Sequence, residues 1–322
     1  GDNSLSKRPM GRIIDPLVKM GADISSNNEK LPLNIKGKQL NNIRYFLEIP
    51  SAQVKSGIML AALFTKNKTE IIEKQITRNH TEIMLESFNA DIKVKKKDKQ
   101  NHIYINGQKE LSPNNINIPS DLSSAAFFIV AALINKNSYI EMKNINLNPT
   151  RSGILKALDL MGGKLLIKNK KNINGEIVGD IEVKSSKLNG CELNEDMARL
   201  MIDEYPILSV AASFANSPSI FKGLGELKIK ESNRLELIKY NLDNCGIFCK
   251  IIGNDLLIDP TNNFSPKQKS IKTNCDHRIA MAFAIMGTKL GVSLSIKDSE
   301  YIKTSFPQFI NIFNSLGGKL TE

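Results

Sequence analysis

IPSDLSSAAFFIVAALINKNSYIEMKNINLNPTRSGILKALDLMGGKLLI, residues 118–167, contains two kinds of helix in a single stretch. Residues 118–133 open on a polar loop and run into a segment that is apolar on nearly every face and rich in small residues. A helix of that composition belongs inside a domain, and Ser or Asp near its start can accept from the orphan N–H groups of its first turn. SYIEMKNIN (138–146) then reads as a strand. From 150 to 167 the apolar residues recur three and four apart until Gly162, after which alternation takes over. That pattern is an amphipathic surface helix, a glycine turn and a further strand.

Both helix types recur along the chain. The surface type returns at 8–24, 81–94, 231–252 and 306–320, with Gly21, Asn89, Gly246 and Gly317 in the turn position. Asn tolerates the left-handed conformation next best after glycine. The buried type returns at 49–64, 201–215 and 274–290. The types alternate with a period of about 70–80 residues, the size of a βαβαββ unit and too long for a small solenoid repeat. HIYING (102–107) reads as a strand and VKKKDKQ (94–100) as a solvated hairpin tip. The chain opens on a surface-type helix with no buried-type helix before it, so a unit is expected to be cut at residue 1, Gly1. Pro, Asn and Ser cluster at LSPNNINIPSD (111–121), which places a domain boundary between 1–115 and 116–322.

Composition narrows the function. With 322 residues, 41% hydrophobic and 24% charged, the chain can bury about two domain cores. The four cysteines (191, 245, 249 and 275) form no CxxC pair and no dense framework, so a reducing, cytoplasmic setting is expected. No run approaches the roughly 18 apolar residues of a membrane span, so no membrane partner is expected. The formal net charge of +11 suits either nucleic acid or a small anionic substrate. Aromatics make up only 6% and no recognition motif interleaves them with the basic residues, which leaves nucleic acid a remote alternative. GxxxxGK[ST], GxGxxG and GxSxG are absent, the three histidines (80, 102 and 277) form no evident triad, and no HExxH or cysteine cluster offers a metal site.

Charged groups gather where helices open. Ser51, Ala52, Gln53 and Lys55 stand at the start of a buried-type helix, where a hydroxyl and N–H groups suit phosphate or carboxylate. Simple capping by Ser51 with Gln53 exposed is the other reading. Arg78, Asn79 and His80 precede a surface-type helix that Thr81 can cap; arginine there opposes the helix dipole unless an anion is present. Asp203 and Glu204 open the helix at 201–215, either as caps or with one as a general base. Lys228, Lys230, Glu231 and Arg234 lie together, and Lys230 and Arg234 share a face if the helix reaches back that far. Asp276, His277 and Arg278 lead into AMAFAIM, a charged triplet expensive to bury unpaired. Lys303 precedes the last helix.

GDNSLSKRPM, SAQVKS, TRNHTE, IPSDLSSAAFF, NPTRSG, DEYPIL, KESNR, DHRIAM and KTSFPQF follow one another in an order similar to that of the 5-enolpyruvylshikimate-3-phosphate synthase (3-phosphoshikimate 1-carboxyvinyltransferase) family. The resemblance spans essentially the whole chain. It implies a two-domain, inside-out α/β barrel of repeated βαβαββ units, and no metal or organic cofactor. It implies transfer of the enolpyruvyl group of phosphoenolpyruvate to the 5-hydroxyl of shikimate 3-phosphate, by a monomer. By that likeness Ser51, Ala52, Gln53 and Arg78 hold shikimate 3-phosphate, together with Asp203 and Lys230. Asp203 accepts the hydroxyl proton, Glu231 serves proton transfer at C3, and Lys230 contacts the reacting oxygen. Arg8, Gln53, Arg234, Arg278 and Lys303 surround phosphoenolpyruvate, while Asp276 and His277 orient that cluster. The related enzyme acting on UDP-N-acetylglucosamine is the alternative.

Two residues depart from the family pattern. Ser120 stands where relatives carry Gly in a PGD segment, and Asn233 where KESDR carries Asp. Six units imply six helices of each type, against five and four here. About one and a half units, on the order of 110 residues, are therefore expected to be missing, and the chain alone is expected to show little or no activity.

Overall fold

The computed structural model describes residues 6, 8–107, 109–260, 266–291 and 293–321. Residues 1–5 and Lys7, where the start of GDNSLSKRPM and the expected cut at Gly1 fall, lie outside the described residues. The chain divides into two compact units. One comprises Gly1–Asn117 with Asn172–Glu176, the other Ile118–Lys171 with Ile177–Glu322.

The first unit begins with helix α1 (Gly11–Lys19) and the hairpin β1 (Asp23–Asn27) and β2 (Lys30–Lys36). A full repeat follows: β3 (Arg44–Leu47), α2 (Ala52–Ala62), β4 (Lys68–Glu73), α3 (His80–Ser87), β5 (Asp91–Lys97) and β6 (Gln100–Asn106). Its sheet has the order β3-β4-β6-β5, with β3 parallel to β4 and the other pairs antiparallel. The lysine-rich tip is the β5–β6 turn, where Asp98 and Lys99 have φ of 50° and 62°, the left-handed pair a two-residue hairpin loop requires. Val54, Ile58, Met59 and Ala62 of α2 meet Ile71, Ile103 and Ile105 of the sheet in the core, with Met20 and Leu85 beside them.

The second unit repeats the plan. Ser120 makes a single parallel bridge to Ile145 ahead of α4 (Leu122–Ile134), β7 (Tyr139–Asn146), α5 (Gly153–Leu160), β8 (Lys164–Ile173) and β9 (Glu176–Lys184). Next come β10 (Glu192–Leu193), α6 (Glu195–Met201), α7 (Tyr205–Ser213), β11 (Ser219–Phe221), α8 (Arg234–Asn244), β12 (Phe248–Ile252) and β13 (Asp255–Asp259). Their sheet order is β10-β11-β13-β12, with β10 parallel to β11 and the remaining pairs antiparallel. The last elements are β14 (Ser270–Ile271), α9 (His277–Leu290), β15 (Ser295–Ile296), α10 (Ile302–Ser305) and α11 (Phe309–Ser315), with β14 parallel to β15.

The nine helices read from the sequence are all present; α4, α7 and α9 are buried as expected, whereas α2 leaves Gln53 and Leu60 exposed. Every residue of α7 and eleven of the thirteen in α4 are buried, and α4, α7 and α9 pack on one another. Phe127 of α4 meets Phe309 of α11 edge-on and Phe128 meets it at a tilt; burying a side chain of this size contributes about 1.5–3 kcal/mol. The five surface helices end in turns at Gly21, Asn89, Gly162, Gly246 and Gly317, all at positive φ, from 61° at Asn89 to 94° at Gly317. A left-handed residue there lets the chain reverse from helix into strand without a Cβ clash. Helices α6 and α10 were not foreseen, because seven and four residues are too few to display a period.

Candidate active site

Arg234 opens α8 and is 1% exposed, yet all three guanidinium nitrogens meet carboxylates. Nε donates to Asp276 Oδ2 at 2.8 Å, Nη1 to Asp203 Oδ1 at 3.3 Å, and Nη2 to Glu231. Lys230 Nζ lies 3.6 Å from the same Asp203 oxygen. Burial works against a charged guanidinium, but the three carboxylates outweigh it and hold the Arg234 pKa above its ordinary value.

Asp276 ties this cluster to α9. Its Oδ1 caps the helix by accepting from the Arg278 N–H at 3.0 Å, and Oδ2 also accepts from the Ser232 hydroxyl at 2.8 Å. Burial pushes its carboxyl up, while Arg234 and the hydrogen bonds pull more strongly and leave its pKa below the usual carboxylate range. Burial and the nearby Arg278 push His277 down, favouring the neutral ring. Arg278 reaches back to the mouth of α7, where Nη1 donates to the Asp203 carbonyl at 3.4 Å and lies 3.8 Å from Glu204 Oε1.

Glu204, 2% exposed, accepts from the Ser123 hydroxyl through Oε1, while its Oε2 has no hydrogen-bond partner among the described residues. Burial pushes its carboxyl up despite Arg278 and Arg151. Arg151 in turn donates to Ser123 Oγ at 2.5 Å and to Asp121 Oδ1 at 3.0 Å. Asp121 caps α4 by accepting from the Ser124 N–H at 2.9 Å. One continuous polar network therefore links the starts of α4, α7, α8 and α9.

Two local expectations are corrected here. Lys230 and Arg234 share no helical face: α8 starts at Arg234 behind the cap Asn233, and Lys230 sits in extended backbone after a 3-10 turn at Gly225–Ile229. They meet instead through Asp203. Glu204 does not cap α7. A 3-10 turn at Ile202–Glu204 leads directly into that helix, so the Glu204 backbone (φ −95°, ψ −6°) is already helical rather than in the extended form a cap adopts. Its carboxyl, like that of Asp203, is left for other partners. The departure at Asn233 keeps the cap, since its Oδ1 accepts from the Glu236 N–H at 3.3 Å. Ser120 needs no glycine freedom: its N–H donates to the Asn144 carbonyl at 2.8 Å and its carbonyl accepts from Asn146 at 2.9 Å.

The first unit holds the other predicted residues. Ser51 caps α2 by accepting from the Val54 N–H at 3.4 Å, and Gln53 is exposed just inside the helix beside half-buried Ala52. Arg78 is half-buried in the loop ahead of α3. Thr81 does not cap α3; its hydroxyl lies 2.7 Å from that of Ser56 on α2. His80 is bound at Nδ1 by Glu176, 2.5 Å away. Arg8 is half-buried two residues before the cap of α1, and α1 packs on α2. In the second unit Lys303 is exposed on α10.

Sequence reasoning missed Ser123, Arg151, Glu73 and Glu82 as members of polar networks. Arg151 carried a signal, since it lies in NPTRSG, a loop otherwise made of turn formers. Glu73 and Glu82 gave little, because a carboxylate at a strand end or in a first helical turn is ordinarily solvated.

The model of the EPSP synthase (3-phosphoshikimate 1-carboxyvinyltransferase) family matches residues 1–313. A 3-phosphoshikimate 1-carboxyvinyltransferase of Ruthia magnifica subsp. Calyptogena magnifica is 44% identical over 98% of this chain and 72% of its own length. That of Paramagnetospirillum magneticum is 42% identical over 100% of this chain and 73% of its own length. Among solved structures, an EPSP synthase from Acinetobacter baumannii superposes with a TM-score of 0.86 at 38% identity, covering 99% of this chain and 73% of that one. The enolpyruvyl transferase NikO from Streptomyces tendae, at 14% identity and a TM-score of 0.72 over 98% of this chain and 72% of its own, shares the fold.

Proposed function

The chain belongs to the EPSP synthase family, and from that premise we propose that it transfers the enolpyruvyl group of phosphoenolpyruvate to the 5-hydroxyl of shikimate 3-phosphate, releasing phosphate. This is a step in making the aromatic amino acids. What supports a chemical role for this chain's own residues is one observation: Asp203, Lys230, Glu231, Arg234 and Asp276 form a single ionic network at the mouths of α7, α8 and α9, which Arg278 joins by donating to the Asp203 carbonyl.

Asp203 takes the proton of the attacking hydroxyl as its oxygen bonds to C2 of phosphoenolpyruvate, and Glu231 gives a proton to C3. Lys230, close to Asp203, contacts the reacting oxygen. In the second half C3 returns its proton to Glu231, the C2–O bond to phosphate breaks, and phosphate leaves with the proton that Asp203 had taken. Arg234, Arg278, Arg8 and Lys303, with the neutral amide of Gln53, receive the charge of phosphoenolpyruvate and then of phosphate; donors aimed at developing charge stabilise it. Ser51, Ala52, Gln53 and Arg78 hold shikimate 3-phosphate. Residues 1–115 belong to the first domain and 116–322 form the second, in a cytoplasmic monomer. No helix among the described residues is long and apolar enough to cross a membrane.

The test is release of phosphate from phosphoenolpyruvate by the protein expressed from its complete coding sequence. Release that needs shikimate 3-phosphate and is lost in Asp203→Asn supports the proposal. Release driven by UDP-N-acetylglucosamine instead, or by neither acceptor, overturns it.

A further inference from the structure

Lys55 is fully buried in the first turn of α2. Its Nζ lies 2.6 Å from Glu82 Oε1 and 3.1 Å from Glu73 Oε2. A buried ion pair is a weak source of stability, because desolvating the charges offsets much of their attraction. One carboxylate would already balance the ammonium, so the pattern of hydrogen bonds around the second is informative.

Glu73 ends β4 and reaches forward into the irregular segment 74–79 that leads to α3. Its Oε2 accepts from the Thr77 N–H at 3.2 Å and the Thr77 hydroxyl at 3.0 Å, and its Oε1 accepts from Asn101 at 3.2 Å. Thr77 immediately precedes Arg78. Glu82 lies in the first turn of α3. The Lys55 N–H donates to the Ser51 carbonyl at 3.0 Å, and the two helices are also joined by Ser56, one residue after Lys55, and Thr81, one residue before Glu82. A single ammonium thus connects the helix start carrying Ser51, Ala52 and Gln53 with the loop carrying Arg78.

We propose that Lys55, Glu73 and Thr77 are positioning residues: the Lys55–Glu73 pair, acting through Thr77, holds the Arg78 loop in register with the start of α2 and so sets affinity for the phosphorylated acceptor. The inference rests on the reading that Arg78 and the start of α2 hold shikimate 3-phosphate. It adds residues that touch neither substrate. A displacement of Arg78 by an ångström weakens a charge-assisted contact while leaving the fold and the second substrate undisturbed.

The test is steady-state kinetics of the protein expressed from its complete coding sequence, with each substrate varied in turn. Glu73→Gln is expected to raise KM for shikimate 3-phosphate about 10- to 100-fold with KM for phosphoenolpyruvate changed less than about twofold. Thr77→Val, which leaves the buried charges in place, is expected to raise the same KM severalfold, and Thr77→Ser to restore it. Should Glu73→Gln fail to fold, the Thr77 pair decides. Unchanged KM in Thr77→Val while Arg78→Ala raises it overturns the positioning role and leaves the reading of Arg78 intact. Unchanged KM in Arg78→Ala removes that reading, and the inference with it. An equal rise in both KM values together with a lower Tm makes the cluster purely structural and overturns the proposal.

Discussion

The repeat spanning β3 to β6 and the repeat spanning β10 to β13 have the same sheet order, with a buried helix after the first strand and a surface helix after the second. Their helix mouths are built oppositely. In the first, α2 leaves an extended, capped Ser51, and the ion pairs of Lys55 lie buried beneath the mouth. In the second, α7 grows out of a 3-10 turn without a side-chain cap, and half-buried Asp203, Lys230 and Glu231 stand at the mouth itself. The difference teaches where a repeated scaffold can vary. Charges sunk below the mouth hold backbone in place, whereas charges at the mouth are exposed enough to exchange protons and bind anions.

The sharpest way to break this comparison is Asp203→Asn. If the second mouth carries the chemistry, kcat falls by about 10²–10⁴, the usual weight of a general base, while KM for shikimate 3-phosphate moves far less. A large KM change with kcat preserved would make the two mouths alike. Next in size is Asp276→Asn. Asp276 is 1% exposed and bonded to Arg234, so losing its charge is expected to cost about 3 kcal/mol in urea unfolding at neutral pH. The sign with pH follows from its lowered pKa: the stability Asp276 contributes is present above the ordinary carboxylate range and is lost as pH falls towards its folded value. The gap between wild type and variant is therefore expected to close in acid. Smaller again is Asn233→Ala, which removes the α8 cap and is expected to cost about 1 kcal/mol, read as a lower Tm. Asn233→Asp, placing a negative charge at the same helix start, is expected to recover it.

Much of the fold was legible because the two helix types differ in composition as well as period. AAFFIVAAL in α4 has no polar face, whereas ILKALDL in α5 does, and each surface helix ended at a residue able to turn left-handed. The proposed site was legible as residues gathered at helix starts, and KESNR and DHRIAM do meet, through Arg234 and Asp276. What stayed hidden was partnership across distance in sequence. Glu204 and Ser123 are 81 residues apart, and Lys55 and Glu73 are 18. No local period encodes which of several charged residues points inward. Nor did the pattern show that α7 would continue from a 3-10 turn, which freed Asp203 and Glu204 from capping.

Glu82 offers the finest test of the two mouths when set against Asp276, which is also buried but is tied to Arg234. Asp276 is stabilised by its surroundings as an anion, but Glu82 is not: burial pushes its carboxyl up, Glu73 adds to the effect, and Lys55 only partly opposes them. A carboxyl whose folded pKa lies above its unfolded value favours folding at low pH, and that contribution is lost as pH rises through the folded value. Glu82→Gln cannot ionise and escapes the loss. Tm of the variant relative to wild type is therefore expected to rise as pH climbs through and above the ordinary carboxylate range, then to level off, whatever constant offset the amide introduces. This slope is opposite in sign to the one that burial with Arg234 gives Asp276. A flat difference across the range, or one that falls, would mean that Lys55 satisfies both of its carboxylates as anions and that the first mouth is underlain by a fully ionised triad.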